Sequence, residues 1–393
     1  MILGGSVNQI PLIKCAKKEG HYLILCDYAE DNIGKQYADI FYCISTLDKE
    51  AVLDIARKEN IDGIVTNSEP AMPTASYVGN KLGIPSNPYE SIVTLSRKDL
   101  FRNFLRDNGF NCPQSYDTGN YEDALDNIAE FQFPLMVKPV DSSGSRGVSR
   151  IYSLEELKPT FDIALGFSKV KRVMVEEYID RTHDYMIGGD IFVLNGEVVF
   201  WGLMNSMRNN KVSEFVPIGT SYPTFVSNEQ FEIIKETIQR IIDLMDIKFG
   251  PFNLELMFNK ANQLFVIEMN PRNGGNKIPE ILKNATEVDL IKANIEASLG
   301  AEDLDFSYNR KEKYMSTYVL HSNDNGILKD IKYSENIKDN ILEINMEKQV
   351  GDIIEKFNSA DKLLGIVFLE FETLEEMKYK LKHINELIKI DVE

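Results

Sequence analysis

A membrane-spanning run is the first thing missing from this sequence: no apolar stretch in its 393 residues is long enough to cross a bilayer. Met1 opens directly on an apolar, strand-like stretch, without the basic region and longer apolar segment of a secretory signal, so a cytoplasmic protein is expected. Cysteine is scarce. Cys15, Cys26, Cys43 and Cys112 form no C-x-x-C pair and no regular spacing, which fits a reducing compartment and buried, apolar thiols. Positive charge is in deficit, with 43 lysines and arginines against 61 acids and a formal net charge of −18. A duplex DNA or RNA partner is disfavoured, because its phosphates need a basic face. A phosphorylated small molecule is not, since a few local cations suffice for it. No G-x-x-x-x-G-K-[ST] segment occurs, so the P-loop is excluded as a motif. The Gly4-Gly5-Ser6 turn lacks the third glycine of the dinucleotide fingerprint. It reads as a tight turn, which argues against a dinucleotide-dependent oxidoreductase built on this region. There is no internal repeat and no low-complexity segment.

What is present is ordinary globular composition, 43% hydrophobic and 26% charged, in a chain too long for one small core. Over the first ninety or so residues the spacing predicts strands at Met1 to Leu3, Tyr22 to Cys26, Ile40 to Ile44 and Ile61 to Thr66. Helical spacing falls between them, at Gln9 to Lys18 and Lys49 to Lys58. Such alternation implies parallel βαβ units and a doubly wound sheet. Gly83 to Pro88 breaks the pattern, and a basic amphipathic helix follows with Arg97, Lys98, Arg102 and Arg106. Hairpins are predicted for Ile191 to Val193 with Val198 to Leu203, turned at Asn195-Gly196, and for Phe252 to Phe258 with Leu264 to Met269. The last eighty residues read as strands and a charged amphipathic helix near Glu375 to Ile388.

Chemistry concentrates in the second hairpin. Alternation along Phe252 to Phe258 puts Asn253, Glu255 and Met257 on one face. Residues 266–277 read VIEMNPRNGGNK, which puts Glu268, Asn270 and Arg272 on one face of the partner strand. Paired antiparallel, the strands can set Glu255 beside Glu268 and Asn270. Like charges side by side call for a compensating cation, and oxygen ligands of this kind suit Mg²⁺. The plainer reading is an exposed strand face with scattered acids. Val137-Lys138-Pro139 ends a strand ahead of a small, glycine-rich stretch, Asp141 to Val148. Its main-chain N–H groups could wrap phosphate oxygens beside Lys138, or form only a hairpin turn. Val173 to Ile179 is a strand bearing Glu176 and Glu177. A strand edge leaving its sheet there offers main-chain groups to an adenine ring, and Asp184 could accept ribose hydroxyls.

Taken together and in this order, KDLFR with Lys98, VMVKP with Lys138, SSGSRGV, VEEYI and FNLELMF…FVIEMNPR resemble the ATP-grasp superfamily. That is the fold of biotin carboxylase, D-alanine–D-alanine ligase and carbamoyl-phosphate synthetase, and the resemblance runs from about Ser96 to Gly300. It implies an α/β and α+β multidomain chain. A Rossmann-like, doubly wound pre-ATP-grasp domain would occupy 1–95, and an ATP-grasp domain 96–310, with a mobile lid subdomain at about 112–177. A small C-terminal α+β subdomain would occupy 311–393. Lys98 and Lys138 would hold ATP phosphates beneath a flap of Ser143, Gly144, Ser145 and Gly147. Glu176, Glu177 and Ile179 would line the adenine hinge, Asp184 would meet the ribose, and Met257 would pack under the base. Glu255, Glu268 and Asn270 would bind Mg²⁺ or Mn²⁺, with two ions expected. Arg272 would be catalytic together with Lys138, steadying the transferred phosphoryl group or an acyl phosphate. Two positions depart from the family's habit: Arg97, where many relatives carry an acid, and Asp184, in place of the commoner glutamate.

The activity so implied is that of an ADP-forming ligase that activates a carboxylate as an acyl phosphate and transfers it to an amine. Arg272-Asn273-Gly274-Gly275 through Ile278-Pro279 is similar to the R-x-G-G-x-x-I-P stretch of L-amino-acid ligases, which points to an amino-acid substrate. Gly274 and Gly275 would let main chain approach the acyl phosphate closely. Arg208, in a loop-like stretch rich in asparagine, is a candidate clamp for a substrate carboxylate. Glu69, after a predicted strand end, is a candidate contact for the second substrate. The partners expected are small-molecule carboxylate and amine substrates, without nucleic acid or membrane, and a homodimer is a candidate assembly. The alternatives are a carboxyphosphate-forming enzyme and a non-catalytic nucleotide-binding module. Biotin carboxylase's substrate histidines and lysines have no clear counterpart here, and pure binding needs no full metal and phosphoryl set.

Overall fold

The computed structural model describes residues 1–142, 144–209, 213–307 and 313–393. At the N-terminus the strands Ile2–Leu3, Ile24–Asp27 and Ile40–Cys43 form one parallel sheet in that order. The connecting helices Ile10–Lys18 and Lys49–Lys58 each bury an apolar stripe, Leu12, Ile13 and Ala16 in one, Val52, Leu53 and Ala56 in the other. Asp48 caps the second by accepting the Ala51 N–H at 3.1 Å. The fourth strand expected at Ile61 to Thr66 shrinks to a single parallel bridge between Ile2 and Val65. Its partner is only two residues long, because Gly4 leaves the ladder at a φ of 95°. The bridge still gives Ile2–Leu3 a neighbour on each side, which makes this the switch point of a doubly wound sheet, with Glu69 just beyond its carboxyl end. Gly4-Gly5-Ser6 is a packing turn. Gly5 N–H donates to Asp27 Oδ2 at 2.6 Å, and a Cβ on Gly5 would sit 1.9 Å from Asn32 Oδ1.

The next sheet is antiparallel and has four strands, in the order Ser115–Thr118, Val173–Glu177, Leu135–Pro139, Ser149–Ile151. The helix Leu157–Phe167 packs on it through Leu157, Phe161 and Ala164. With Leu135, Val137, Val173 and Val175 these make a core of their own.

The largest sheet has eight strands, all antiparallel. From one edge they are Leu264–Asn270, Gly250–Phe258, Met186–Leu194, Glu197–Asn209, Ser213–Tyr222, Tyr314–Leu320, Gly365–Phe371 and Ile341–Met346. The last three cross the division expected at 311. Both faces are covered: Ile187, Ile191 and Val193 meet the helix Asn228–Leu244, while Phe192 and Leu194 meet the helices Ile278–Thr286 and Leu290–Ser298. Both predicted hairpins form, the first through Asn195 and Gly196 at φ of 53° and 83°. The C-terminal helix is shorter than expected. Leu374–Lys382 and Ile384–Leu387 break at His383, and Ile388–Val392 joins a small sheet with Gly326–Tyr333 and Ile353–Ile354, because Ile388, Ile390 and Val392 alternate with period two. No helix among the described residues is long and apolar enough to cross a membrane. Cys26 is buried, its thiol pushed up by burial to about 12, whereas Cys43 is exposed, against the expectation of buried thiols.

Candidate active site

A cavity of about 400 Å³ lies between the four-stranded sheet, the eight-stranded sheet and the loop after Thr66. Of the residues singled out in the sequence, Glu69, Lys98, Lys138, Gly144, Ser145, Glu176, Glu177, Ile179, Arg208, Glu255, Met257, Glu268, Asn270, Arg272 and Gly275 line it. Gly147, Asp184 and Gly274 do not, and Ser143 lies outside the described residues. Asp184 is exposed ahead of the strand Met186–Leu194. Among the described lining residues, Lys98, Lys138, Arg150, Arg181, Arg208 and Arg272 match the glutamates one for one, in a chain whose formal charge is −18. Such local neutrality suits an anionic ligand.

The hairpin builds the acidic corner. Phe252, Leu254, Leu256 and Phe258 turn into the core, so Asn253, Glu255 and Met257 face the cavity. Glu255 pairs directly with Glu268, and Asn253 with Asn270. The protein brings its own cations to the pair: Lys98 Nζ stands 3.0 Å from Glu268 Oε1, and Arg208 Nη2 3.4 Å from Glu255 Oε1. Asn270 Nδ2 donates to Glu268 Oε2 at 3.2 Å. Burial alone would raise both carboxyls. Lys98 nevertheless holds Glu268 at about 2, while Glu255, beside the Glu268 charge, is raised. Among the described residues no three His, Cys, Asp or Glu side chains gather into a metal-binding group. A divalent ion here would rest on two carboxylates and an amide oxygen, leaving coordination positions for phosphate oxygens and water. That donor set fits Mg²⁺. Arg208 is neither in a loop nor exposed: it lies in the strand Glu197–Asn209 with its side chain 3% exposed, and its Nη1 donates to Ser206 Oγ at 2.6 Å.

Arg102, read from sequence as one charge on a basic helix, is 1% exposed. Its Nε donates to Glu176 Oε2 at 2.9 Å, Nη1 to Val266 O at 3.2 Å and Nη2 to Ile267 O at 3.1 Å. One side chain thus joins the helix Lys98–Asp107, the strand Val173–Glu177 of the four-stranded sheet and the strand that carries Glu268. Lys138 Nζ donates to the other oxygen of Glu176. Burial would raise the Glu176 carboxyl, but Arg102 and Lys138 hold it down at about 2. The Glu176 side chain is therefore committed to two cations, while Glu177 and Ile179 line the same cavity.

Arg272 reaches back to the N-terminal sheet. Its Nη2 pairs with Glu69 Oε2 at 2.8 Å, and its Nη1 donates to Asn273 O at 3.0 Å. Burial works against the guanidinium charge, but Glu69 raises its pKa. Glu69, a candidate substrate contact, is thus the ion-pair partner of Arg272. Gly274 makes its close approach to protein rather than to the cavity: a Cβ there would sit 2.6 Å from Asn253 Nδ2 and 2.8 Å from Asp190 Oδ1. Gly275 faces open space. Asp190 was not among the sequence candidates. It is fully buried, which pushes its carboxyl up to about 6 against the pull of the Gly274 N–H. Its signal was a charge inside the otherwise apolar strand Met186–Leu194.

In the glycine-rich stretch after Lys138, Gly144, Ser145 and Gly147 all adopt left-handed φ, of 66°, 59° and 74°. Ser145 Oγ donates to Phe215 O at 3.1 Å, Arg150 Nη2 pairs with Glu214 Oε2 at 2.7 Å, and Lys98 Nζ donates to Ser142 O at 2.8 Å. The segment is therefore drawn across the cavity toward the strand Ser213–Tyr222.

Residues 97–305 match the model of the carbamoyl-phosphate synthase L chain, ATP binding domain. The carbamoyl phosphate synthase large chain of Campylobacter jejuni is 25% identical over 278 residues, covering 66% of this chain and 24% of that one. The chain spans between about a quarter and about half the length of the curated relatives it matches. Among solved structures, the L-amino acid ligase from Bacillus licheniformis superposes with a TM-score of 0.84 at 20% identity, covering 100% of this chain and 98% of the other. The biotin carboxylase domain dimer of Hydrogenobacter thermophilus 2-oxoglutarate carboxylase, solved with MgADP, ADP and bicarbonate, gives 0.73 at 16% identity, over 100% and 90%.

Proposed function

This chain belongs to the family of the carbamoyl-phosphate synthase L chain ATP binding domain and has the ATP-grasp fold, and from that premise we propose that it is an ATP- and Mg²⁺-dependent carboxylate–amine ligase acting on an amino acid. The observation that carries the reading is the Glu255–Glu268 pair with Asn270, set in one cavity with Lys98, Lys138 and Arg272. Structural likeness to an L-amino acid ligase over the full chain supports the substrate class.

The chemistry follows from the leaving group. A carboxylate is a poor acyl donor because its leaving group would be oxide. Transfer of the γ-phosphoryl group from ATP gives an acyl phosphate and ADP. An amine nitrogen then attacks the acyl carbon, the bond from carbon to the phosphate oxygen breaks, and the nitrogen loses a proton as the amide forms. Lys98 and Lys138 would hold the phosphate oxygens, Arg272 would meet the charge on the moving phosphoryl group, and the flap would keep water from the acyl phosphate. Glu255, Glu268 and Asn270 would hold Mg²⁺, which would supply charge neutralisation for the phosphoryl group in transfer. Arg208 and Gly275 line the same cavity and would meet a substrate carboxylate. The enzyme would act in the cytoplasm on small molecules, as a homodimer.

Phosphate release from ATP and Mg²⁺, measured across a panel of amino acids singly and in pairs, tests this reading. Release that rises with particular amino acids is expected, and ATP left intact across the panel would overturn it. Bicarbonate belongs in the same panel, since the family match and the bicarbonate-bound neighbour favour a carboxyphosphate-forming enzyme as the second reading. ATP should also raise the melting temperature, by an amount equivalent to about 2.7 kcal/mol at a hundred times its Kd. Lys138→Ala should lose most of that rise while Arg102 still holds Glu176. An undiminished rise would remove Lys138 from the phosphate site.

A further inference from the structure

The turn after Arg272 is held from beneath by a carboxylate that no step above uses. Asp190 lies in a strand whose nine residues are all buried. It accepts the Gly274 N–H at 3.0 and 2.8 Å, the Asn253 side-chain amide at 2.8 Å and the Asn273 side-chain amide at 3.5 Å. The peptide that supplies this N–H, Asn273–Gly274, also supplies the carbonyl that accepts from Arg272 Nη1 at 3.0 Å. In a planar trans peptide the N–H and C=O point opposite ways. Anchoring the N–H on Asp190 therefore aims the carbonyl at the guanidinium. Glu69 takes the other terminal nitrogen at 2.8 Å. A long, flexible side chain is thus fixed at two points of its planar head, the arrangement a two-pronged grip on phosphoryl oxygens requires. Only glycine fits at position 274, where a Cβ would strike Asn253, Asp190 and Ile278.

We propose that Asp190 is a positioning residue: it orients Arg272 through the Asn273–Gly274 peptide and so sets how well Arg272 meets charge on the transferring phosphoryl group. The inference rests on the ligase reading above. It also explains why an aspartate interrupts a strand that is otherwise apolar and glycine-rich, with Asn253, Asn273 and Gly274 arranged around it as donors.

The test is a double-mutant cycle between Asp190→Asn and Arg272→Lys, because residues that act as one unit are not additive. Asp190→Asn nearly keeps size and can still accept one hydrogen bond, but it lacks the charge that holds three donors. In the wild-type background it should lower kcat by about 30-fold and leave KM for ATP within about threefold. ATP should still raise the melting temperature of the variant as it does for the wild type. In the Arg272→Lys background, where no planar guanidinium is left to orient, the same substitution should cost less than about threefold. Asp190→Leu, which removes every acceptor, should deepen the loss in the first background and not in the second. If the leucine variant does not fold, the asparagine cycle decides alone. Equal losses in both backgrounds, or a loss confined to KM for ATP, would overturn the positioning role and leave the ligase reading standing. A wild-type protein that consumes no ATP with any amino acid or with bicarbonate would overturn the reading itself, and this inference with it.

Discussion

Replacing Glu268 with glutamine yields a folded protein that has lost Mg²⁺-dependent turnover by about a thousandfold or more, equivalent to the several kcal/mol that a correctly held divalent ion contributes to phosphoryl transfer. The fold should survive, because the substitution removes one of two facing acids. Lys98 loses a partner at 3.0 Å but keeps the Ser142 carbonyl at 2.8 Å, and Glu255 is freed of its like-charged neighbour. The raised Glu255 carboxyl should fall toward its ordinary range, since the Glu268 charge is one of its causes. Glu255→Gln should behave alike. Wild-type kcat in either variant at ordinary Mg²⁺ would show that the metal binds elsewhere.

Arg102→Leu should produce the largest loss of stability among single substitutions at the site, about 3–5 kcal/mol, because it leaves a buried carboxylate short of one partner and two carbonyls short of donors. The effect should be local to the junction it holds. Amide hydrogen exchange in Val173–Glu177 and Leu264–Asn270 should quicken by about 10²- to 10³-fold, while Ile24–Asp27 stays as in the wild type. The sign of its pH dependence is fixed by Glu176, whose carboxyl lies at about 2 against an ordinary value of 4.5. Stabilisation from a depressed carboxyl is fully present above about 4.5 and is lost as pH falls through about 2. The difference between wild type and variant should therefore narrow as pH falls from 4.5 toward 2. Unchanged exchange in Val173–Glu177 would show that Arg102 fills space and holds nothing.

Much of the site could be read from the sequence because it is written in local period. The hairpin Gly250–Phe258 and Leu264–Asn270 alternates core and cavity residues, so Glu255 opposite Glu268 follows from pattern and turn alone. The Asn195-Gly196 turn announced itself in the same way. What pattern cannot carry is a partner far along the chain. Glu69 and Arg272 stand 203 positions apart, and Arg102 meets Glu176 across 74. Arg102 had a faint local signal, since it lies four residues after Lys98 on the same helix face. Composition argued the other way, because arginine is rarely buried without a partner, and the nearest acid on its own helix, Asp99, pairs with Arg97 instead. Asp190 and Gly274 failed for a related reason. The glycine was read as room for a ligand, when the atoms that need the room belong to Asp190 and Asn253. In the N-terminal sheet the apolar run Ile61 to Thr66 looked like a strand, but a ladder requires a partner of equal length, and Ile2–Leu3 supplies two residues.

In the reaction proposed, a carboxylate oxygen becomes the bridge between carbon and phosphorus. Loading the carboxylate of the amino acid that best stimulates phosphate release with ¹⁸O, and weighing the phosphate formed, tests for that bridge. One labelled oxygen is expected in each phosphate released, carried off when the amine displaces it from the acyl carbon. Phosphate free of label while amide product accumulates would contradict it.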